Sequence, residues 1–94
     1  MNILKLRKDA AECTWIPANE VEIIQVVDAN TVDIRFLGTA DDLAYDEVAI
    51  TATGKATEVA KTIAGYIQAD GKQKGLLDVA AIDGVTSIAA IAAA

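Results

Sequence analysis

The sequence contains no histidine and only one cysteine, Cys13. Histidine is the usual general base at neutral pH and the commonest metal ligand, so the side chain on which most such sites depend is missing. Cys13 has neither a second thiol nor an imidazole as a partner, which disfavours thiol catalysis and a structural zinc site. We therefore expect a protein that is not an enzyme and that has no cofactor.

Aromatic residues are also scarce. The composition is 53% hydrophobic, yet much of that fraction is alanine, and the aromatic residues are Trp15, Phe36, Tyr45 and Tyr66. Burying a Val, Leu or Ile side chain contributes about 1.5–3 kcal/mol, and alanine contributes much less. Residues 1–94 fit one small domain with a thin core. Such a core favours oligomerisation, because a neighbouring subunit can supply the missing burial.

Basic residues are unevenly distributed in a chain whose net charge is −6. Residues 1–8 carry three bases and no acid, whereas residues 9–54 carry ten acids and the single base Arg35. A surface of this sign repels phosphate, so we do not expect nucleic acid as a partner. An alternative hypothesis is an acidic mimic of nucleic acid that inhibits a DNA-binding enzyme.

Neither an export signal nor a membrane span is evident. The positive start of the chain runs into polar and charged residues, and the single cysteine does not favour secretion. The longest uncharged apolar stretch, 85–94, is shorter than the roughly 20 residues that cross a bilayer. We expect a protein that is not secreted and has no membrane partner.

Alternating polar and apolar residues predict strands in the first half of the chain. Residues 2–7 alternate, and 21–28 is rich in β-branched residues. The turn-forming residues 28–31 connect it to the alternating segment 31–36, which predicts a β-hairpin. Residues 38–46 are predicted as a loop, and 47–53 as a further strand.

The spacing changes after Gly54. Val59, Ile63 and Ile67 recur every four residues, which predicts an amphipathic helix over 55–69. Beyond it, the Asp83-Gly84 pair predicts a hairpin between 76–82 and 85–91, although the terminal alanines could instead form a helical turn. The predicted fold class is α+β: antiparallel hairpins of about five to six strands, with one helix packed on one face.

The C-terminal segment 85–94 is uncharged and would invite aggregation as an exposed strand. It is either buried within the domain or covered by another subunit. Trp15 either caps the core or anchors an interface, since tryptophan is enriched among interface hot spots. The candidate interface residues are Trp15, Val85, Ile88 and Ile91.

One group of acids could carry chemistry. Hard cations such as calcium prefer several carboxylate oxygens from a shaped loop, although the spacing here matches no calcium-loop pattern. The group is either a solvated acidic loop or a weak cation site, and the latter is the basis of a third hypothesis, a metal-dependent or small-ligand enzyme. Its members are Asp41, Asp42, Asp46 and Glu47.

Several segments together resemble small virion-associated structural proteins of marine bacteriophages, notably those that infect cyanobacteria. The segments that carry the likeness are 4–8, 16–21, 58–67, 75–79 and 85–88. The resemblance implies a capsid decoration or accessory protein, found in the virion or the host cytoplasm, and it assigns no functional residue. The leading hypothesis is therefore a structural protein that forms a homo-oligomer or binds other virion proteins.

Overall fold

The computed structural model of the chain describes residues 2–37, 45–68, 75–89 and 92–93. It has two β-sheets and one α-helix around a common core. The elements are β1 (Asn2–Arg7), β2 (Cys13–Pro17), β3 (Val21–Asp28), β4 (Thr31–Leu37), β5 (Tyr45–Thr51), α1 (Ala56–Gln68), β6 (Gly75–Asp78), β7 (Ser87–Ile88) and β8 (Ala92–Ala93). The α+β class is confirmed, with more strands than the sequence predicted.

The smaller sheet has three strands in the order β2-β1-β6. Its central strand β1 is antiparallel to β2 and parallel to β6. Leu4 and Leu6 point into the core, as does Ile16, which lies opposite Leu4 on β2. The residues that alternate with them therefore form an outer face.

The larger sheet has the strand order β3-β4-β5-β7, and β8 also pairs with β5. The predicted hairpin is confirmed as β3 and β4, and its turn is held by a hydrogen bond from the Asn30 amide to Asp28 Oδ1 at 2.8 Å. Val32 on β4 lies opposite Ile50 on β5, and Ile34 lies opposite Val48. All four are buried, because the alternation that the sequence shows places them on the core side.

Helix α1 covers the core side of the larger sheet at β3 and β4. Val59 and Ile63 are fully buried, and Ile67 packs against the core from a half-buried position. At the end of the helix, Tyr66 Oη donates to the Gly75 carbonyl oxygen at 2.5 Å. This hydrogen bond connects the helix to β6 of the smaller sheet.

The hairpin predicted between 76–82 and 85–91 is wrong. The chain does turn at Asp83-Gly84, where Gly84 has a φ of +97°, but the flanking segments join different sheets. Gly75–Asp78 runs parallel to β1, while Ser87–Ile88 is antiparallel to β5. A 3₁₀ turn at Val79–Ala81 interrupts the expected strand, and Val79 is buried in the core. Local turn chemistry located the bend but could not identify partners distant in sequence.

Two further differences concern short strands. Cys13–Pro17 forms the edge strand β2, which the sequence did not predict because the segment is short and ends in proline. Within 85–94, the residues 87–88 and 92–93 are strand, so the described part of this segment contains no helical turn.

Candidate assembly surfaces

The outer face of the three-stranded sheet exposes the only tryptophan of the chain. Trp15 lies opposite Lys5, and its neighbour Ile16 is buried, so the indole points away from the core. The side chain is 56% exposed. An indole that is more than half exposed retains a large apolar area that could still be buried by a partner.

A row of apolar residues crosses this face beside Trp15. Ile3 on β1 lies opposite Pro17 on one side and Leu76 on the other, and Leu76 is 48% exposed. Large hydrophobic side chains are thus adjacent on all three strands, which differs from the isolated exposed hydrophobics common on soluble proteins. We call this surface the Trp15 face: Ile3, Lys5, Arg7, Cys13, Trp15, Pro17, Leu76 and Asp78.

The Trp15 face is basic within an acidic protein. Lys5 and Arg7 lie on it, and Lys8 follows at the end of β1. Arg7 Nη2 lies 3.8 Å from Asp78 Oδ2, and both side chains are partly exposed, so this ion pair contributes little to stability. Asp78 offsets one of the two bases of the Trp15 face, which leaves this face with a net charge of +1.

The turn between β1 and β2 carries two acids beside the Arg7 end of the face. Asp9 Oδ1 accepts hydrogen bonds from the backbone N–H groups of Ala11 and Glu12, each at 2.8 Å. These backbone hydrogen bonds lower the pKa of Asp9, and the bond from Ala11 has the larger effect. Its carboxylate is therefore engaged in stabilising its own turn.

The second exposed apolar surface is the edge of the larger sheet. β3 pairs with β4 on one side only among the described strands. Ile23, Val26 and Val27 on this strand are 41–51% exposed. An eight-residue edge strand with apolar side chains is a template for pairing with another chain.

Acids flank this edge. Glu20 and Glu22 lie at its start and Asp28 lies at its end, all exposed. The nearest base on the neighbouring strand, Arg35, lies opposite Ile23, but its Nε donates to Glu47 Oε2 at 2.8 Å. We call the strand 21–28 together with Glu20 the β3 edge.

The predicted acidic group is not brought together by the described residues. Asp41 and Asp42 lie outside them, and Asp46 and Glu47 are adjacent in β5, where the alternation directs them to opposite faces. Glu47 is paired with Arg35, so its carboxylate is already engaged. Within the described ranges, no three His, Cys, Asp or Glu side chains are placed to hold a metal ion.

The described acids are divided between the two sheets. Asp9 and Glu12 belong to the smaller sheet, whereas Asp28, Asp33 and Glu47 belong to the larger one. A mimic of nucleic acid requires carboxylates on one continuous face. This division gives that hypothesis no support, and it stays a prediction.

The four predicted interface residues have different positions. Trp15 is exposed, as an interface anchor requires, whereas Ile88 is a core residue that is 4% exposed and Val85 packs against the core. Ile91 lies outside the described residues. Ile88 is thus buried within the domain and Val85 is half-buried against its core, and the role of these residues in an interface stays a prediction.

Sequence reasoning missed the apolar neighbours of Trp15 and the exposed side chains of β3. Ile3 could have been identified, because it alternates with the core residues Leu4 and Leu6. Leu76 could not, since its orientation depends on the parallel pairing of β6 with β1. The exposure of Val26 and Val27 depends on β3 being an edge strand, which local sequence does not specify.

No protein-family model matches the chain, and comparison with curated proteins and with solved structures gives no significant match. The helix in the described part of the chain has 13 residues and is too short to cross a membrane.

Proposed function

We propose that this chain is a non-enzymatic structural protein that acts by associating with copies of itself. The observation that carries the proposal is the exposure of Trp15 on the edge strand of a sheet face that is otherwise apolar and basic. Tryptophan is the residue type most enriched among interface hot spots, where its truncation costs about 2 kcal/mol or more.

The remaining exposed area of Trp15 is large enough to matter. An aromatic side chain buries about 150–250 Å², and burial contributes about 25 cal/mol per Å². Covering the exposed 56% of this indole would contribute on the order of 2–3 kcal/mol before the costs of association. Ile3 lies diagonally from Trp15 on the neighbouring strand β1, and Leu76 lies opposite Ile3 on β6, so a partner that covers this face would cover all three.

The β3 edge supports the same proposal. Natural proteins usually protect an exposed edge strand with lysine, proline or a covering segment. β3 has neither lysine nor proline within 21–28, and among the described strands only β4 pairs with it, so Glu22, Asp28 and two register shifts are its protection. A neighbouring copy would cover both the exposed side chains and the unpaired side of the strand.

We further propose that the chain functions on a phage particle, as a capsid decoration or accessory protein. The resemblance of segments such as 4–8 and 75–79 to virion-associated proteins supports this setting. These segments overlap the strands β1 and β6, which form the Trp15 face together with β2. Quantitative mass spectrometry of purified phage particles should detect the chain in many copies per particle, and its absence from the particles would overturn this setting.

Light scattering over a wide range of protein concentration tests self-association. We expect the average mass to rise above the 9.8 kDa of one chain as the concentration increases. A single species of 9.8 kDa at every concentration would overturn the proposal.

A further inference from the structure

We infer that self-association is heterologous: the Trp15 face of one copy packs against the β3 edge of the next copy. This inference rests on the proposed function, and it adds which surfaces meet. The two surfaces belong to different sheets, so one chain can use both at once.

The apolar parts of the two surfaces are complementary in kind. The Trp15 face presents a broad indole on β2, with Ile3 on β1 and Leu76 on β6 across the same face. The β3 edge presents the smaller β-branched side chains of Ile23 and Val27. Large aromatic anchors commonly pack against such aliphatic side chains at the centre of an interface. The indole of one copy could therefore cover the exposed aliphatic side chains of the next.

The charges of the two surfaces are opposite. The Trp15 face carries Lys5 and Arg7 against Asp78, a net charge of +1, whereas three acids flank the β3 edge: Glu20, Glu22 and Asp28. Opposite potentials favour the encounter of these two surfaces and fix which surface meets which. The base closest to the β3 edge does not cancel its charge, because Arg35 is occupied by Glu47.

The same charges disfavour a symmetric dimer through either surface. Pairing two β3 edges would bring six acids together, three from each copy, and pairing two Trp15 faces would bring together two surfaces that each have a net charge of +1. Like charges across an interface select against such contacts. A heterologous contact leaves one free surface at each end, so the assembly closes into a ring or grows as a filament.

Two variants that each block one surface test the inference. Trp15→Glu places an acid on the face that should meet the acidic edge, and Val27→Glu places a charge in the apolar part of that edge. We expect each variant alone to associate at least about thirtyfold more weakly than the wild type. Because both new charges are negative, the two altered surfaces repel each other.

Mixing the two variants gives the decisive result. The intact β3 edge of Trp15→Glu can bind the intact Trp15 face of Val27→Glu, so a 1:1 mixture should form a dimer of about twice the 9.8 kDa chain mass and grow no further. Thr57→Glu, which adds the same charge at an exposed position of helix α1, should associate like the wild type. Circular dichroism and thermal melting check that each variant is folded.

Charge reversal at the rim supplies a second test that leaves the apolar side chains unchanged. Lys5→Glu and Glu22→Lys should each weaken association by about two- to fivefold at low salt, and the chain that carries both substitutions should regain the wild-type association.

The outcomes separate the two levels of the proposal. A wild-type chain that stays monomeric overturns the proposed function itself. If the wild-type chain associates but the mixture of variants gives no dimer and the double charge reversal does not restore association, the heterologous contact alone is overturned.

Discussion

Arg35 and Glu47 lie directly opposite each other on β4 and β5, and Arg35 Nε donates a hydrogen bond to Glu47 Oε2 at 2.8 Å. Asp33 lies two residues from Arg35 on the same outer face of the sheet. Partial burial and then the negative charge of Glu47 raise the pKa of Asp33, although Arg35 acts in the opposite direction. The ion pair thus satisfies Glu47 and leaves Asp33 in an unfavourable environment for its charge.

The stability of the fold should therefore depend on pH through Asp33. The ordinary pKa of this carboxyl is 3.8, and the folded state binds its proton more tightly. Protonated Asp33 therefore stabilises the fold fully below pH 3.8. This stabilisation is lost as the pH rises through the higher pKa that Asp33 has in the folded state. Asp33→Asn removes this loss, so the stability of the variant relative to the wild type should increase between about pH 3 and pH 7.

Urea unfolding at both pH values measures that difference. Glu12→Gln removes a carboxylate from the exposed β1–β2 turn and is the control for the change in net charge. If both variants change equally relative to the wild type between the two pH values, the pKa of Asp33 is not the cause.

The Tyr66 hydroxyl should stabilise the junction between the helix and the smaller sheet. It lies 2.5 Å from the Gly75 carbonyl oxygen and 3.4 Å from that of Ile3. Tyr66→Phe keeps the ring but removes the donor, and we expect it to lower the free energy of unfolding by about 1 kcal/mol. Thr62→Ala removes an exposed hydroxyl that donates to the Glu58 carbonyl within the same helix. It should cost nothing, because alanine is the better helix former.

Asn30 should stabilise the packing of two turns that are distant in sequence. Its Oδ1 accepts a hydrogen bond from the Gly54 amide at 2.9 Å, and its backbone oxygen accepts one from the Ala52 amide at 2.7 Å. Asn30→Ala removes only the side-chain acceptor and should cost about 0.5–1.5 kcal/mol. Asn30→Asp retains an acceptor at the same position and should lose less, and equal losses in the two variants would show that this hydrogen bond is not the cause.

The sequence predicted those parts of the fold that depend on neighbouring residues. The hairpin of β3 and β4 and the helix Ala56–Gln68 follow from alternation and four-residue spacing, and both are present close to the predicted bounds. The strand predicted over 47–53 is present as β5, and its alternating residues Val48 and Ile50 are buried, because successive side chains of a strand point to opposite faces of the sheet.

The parts that failed depend on partners distant in sequence. β6 pairs with β1 across more than 70 residues, and no local pattern distinguishes this parallel pairing from a hairpin with the following segment. The composition of the Trp15 face depends on the same pairing, since β6 brings Leu76 beside Ile3. The sequence could therefore nominate Trp15 as an anchor but could not identify the residues around it.

The fluorescence of Trp15 is the most direct test of the central proposal, since this is the only tryptophan of the chain and lies within the proposed contact. At concentrations where light scattering finds a monomer, its emission should be that of a solvent-exposed indole and acrylamide should quench it readily. As the mass rises with concentration, we expect the emission to move to shorter wavelength and the quenching to weaken. An emission wavelength and a quenching constant that stay unchanged while the mass rises would contradict the proposal that copies associate through this face.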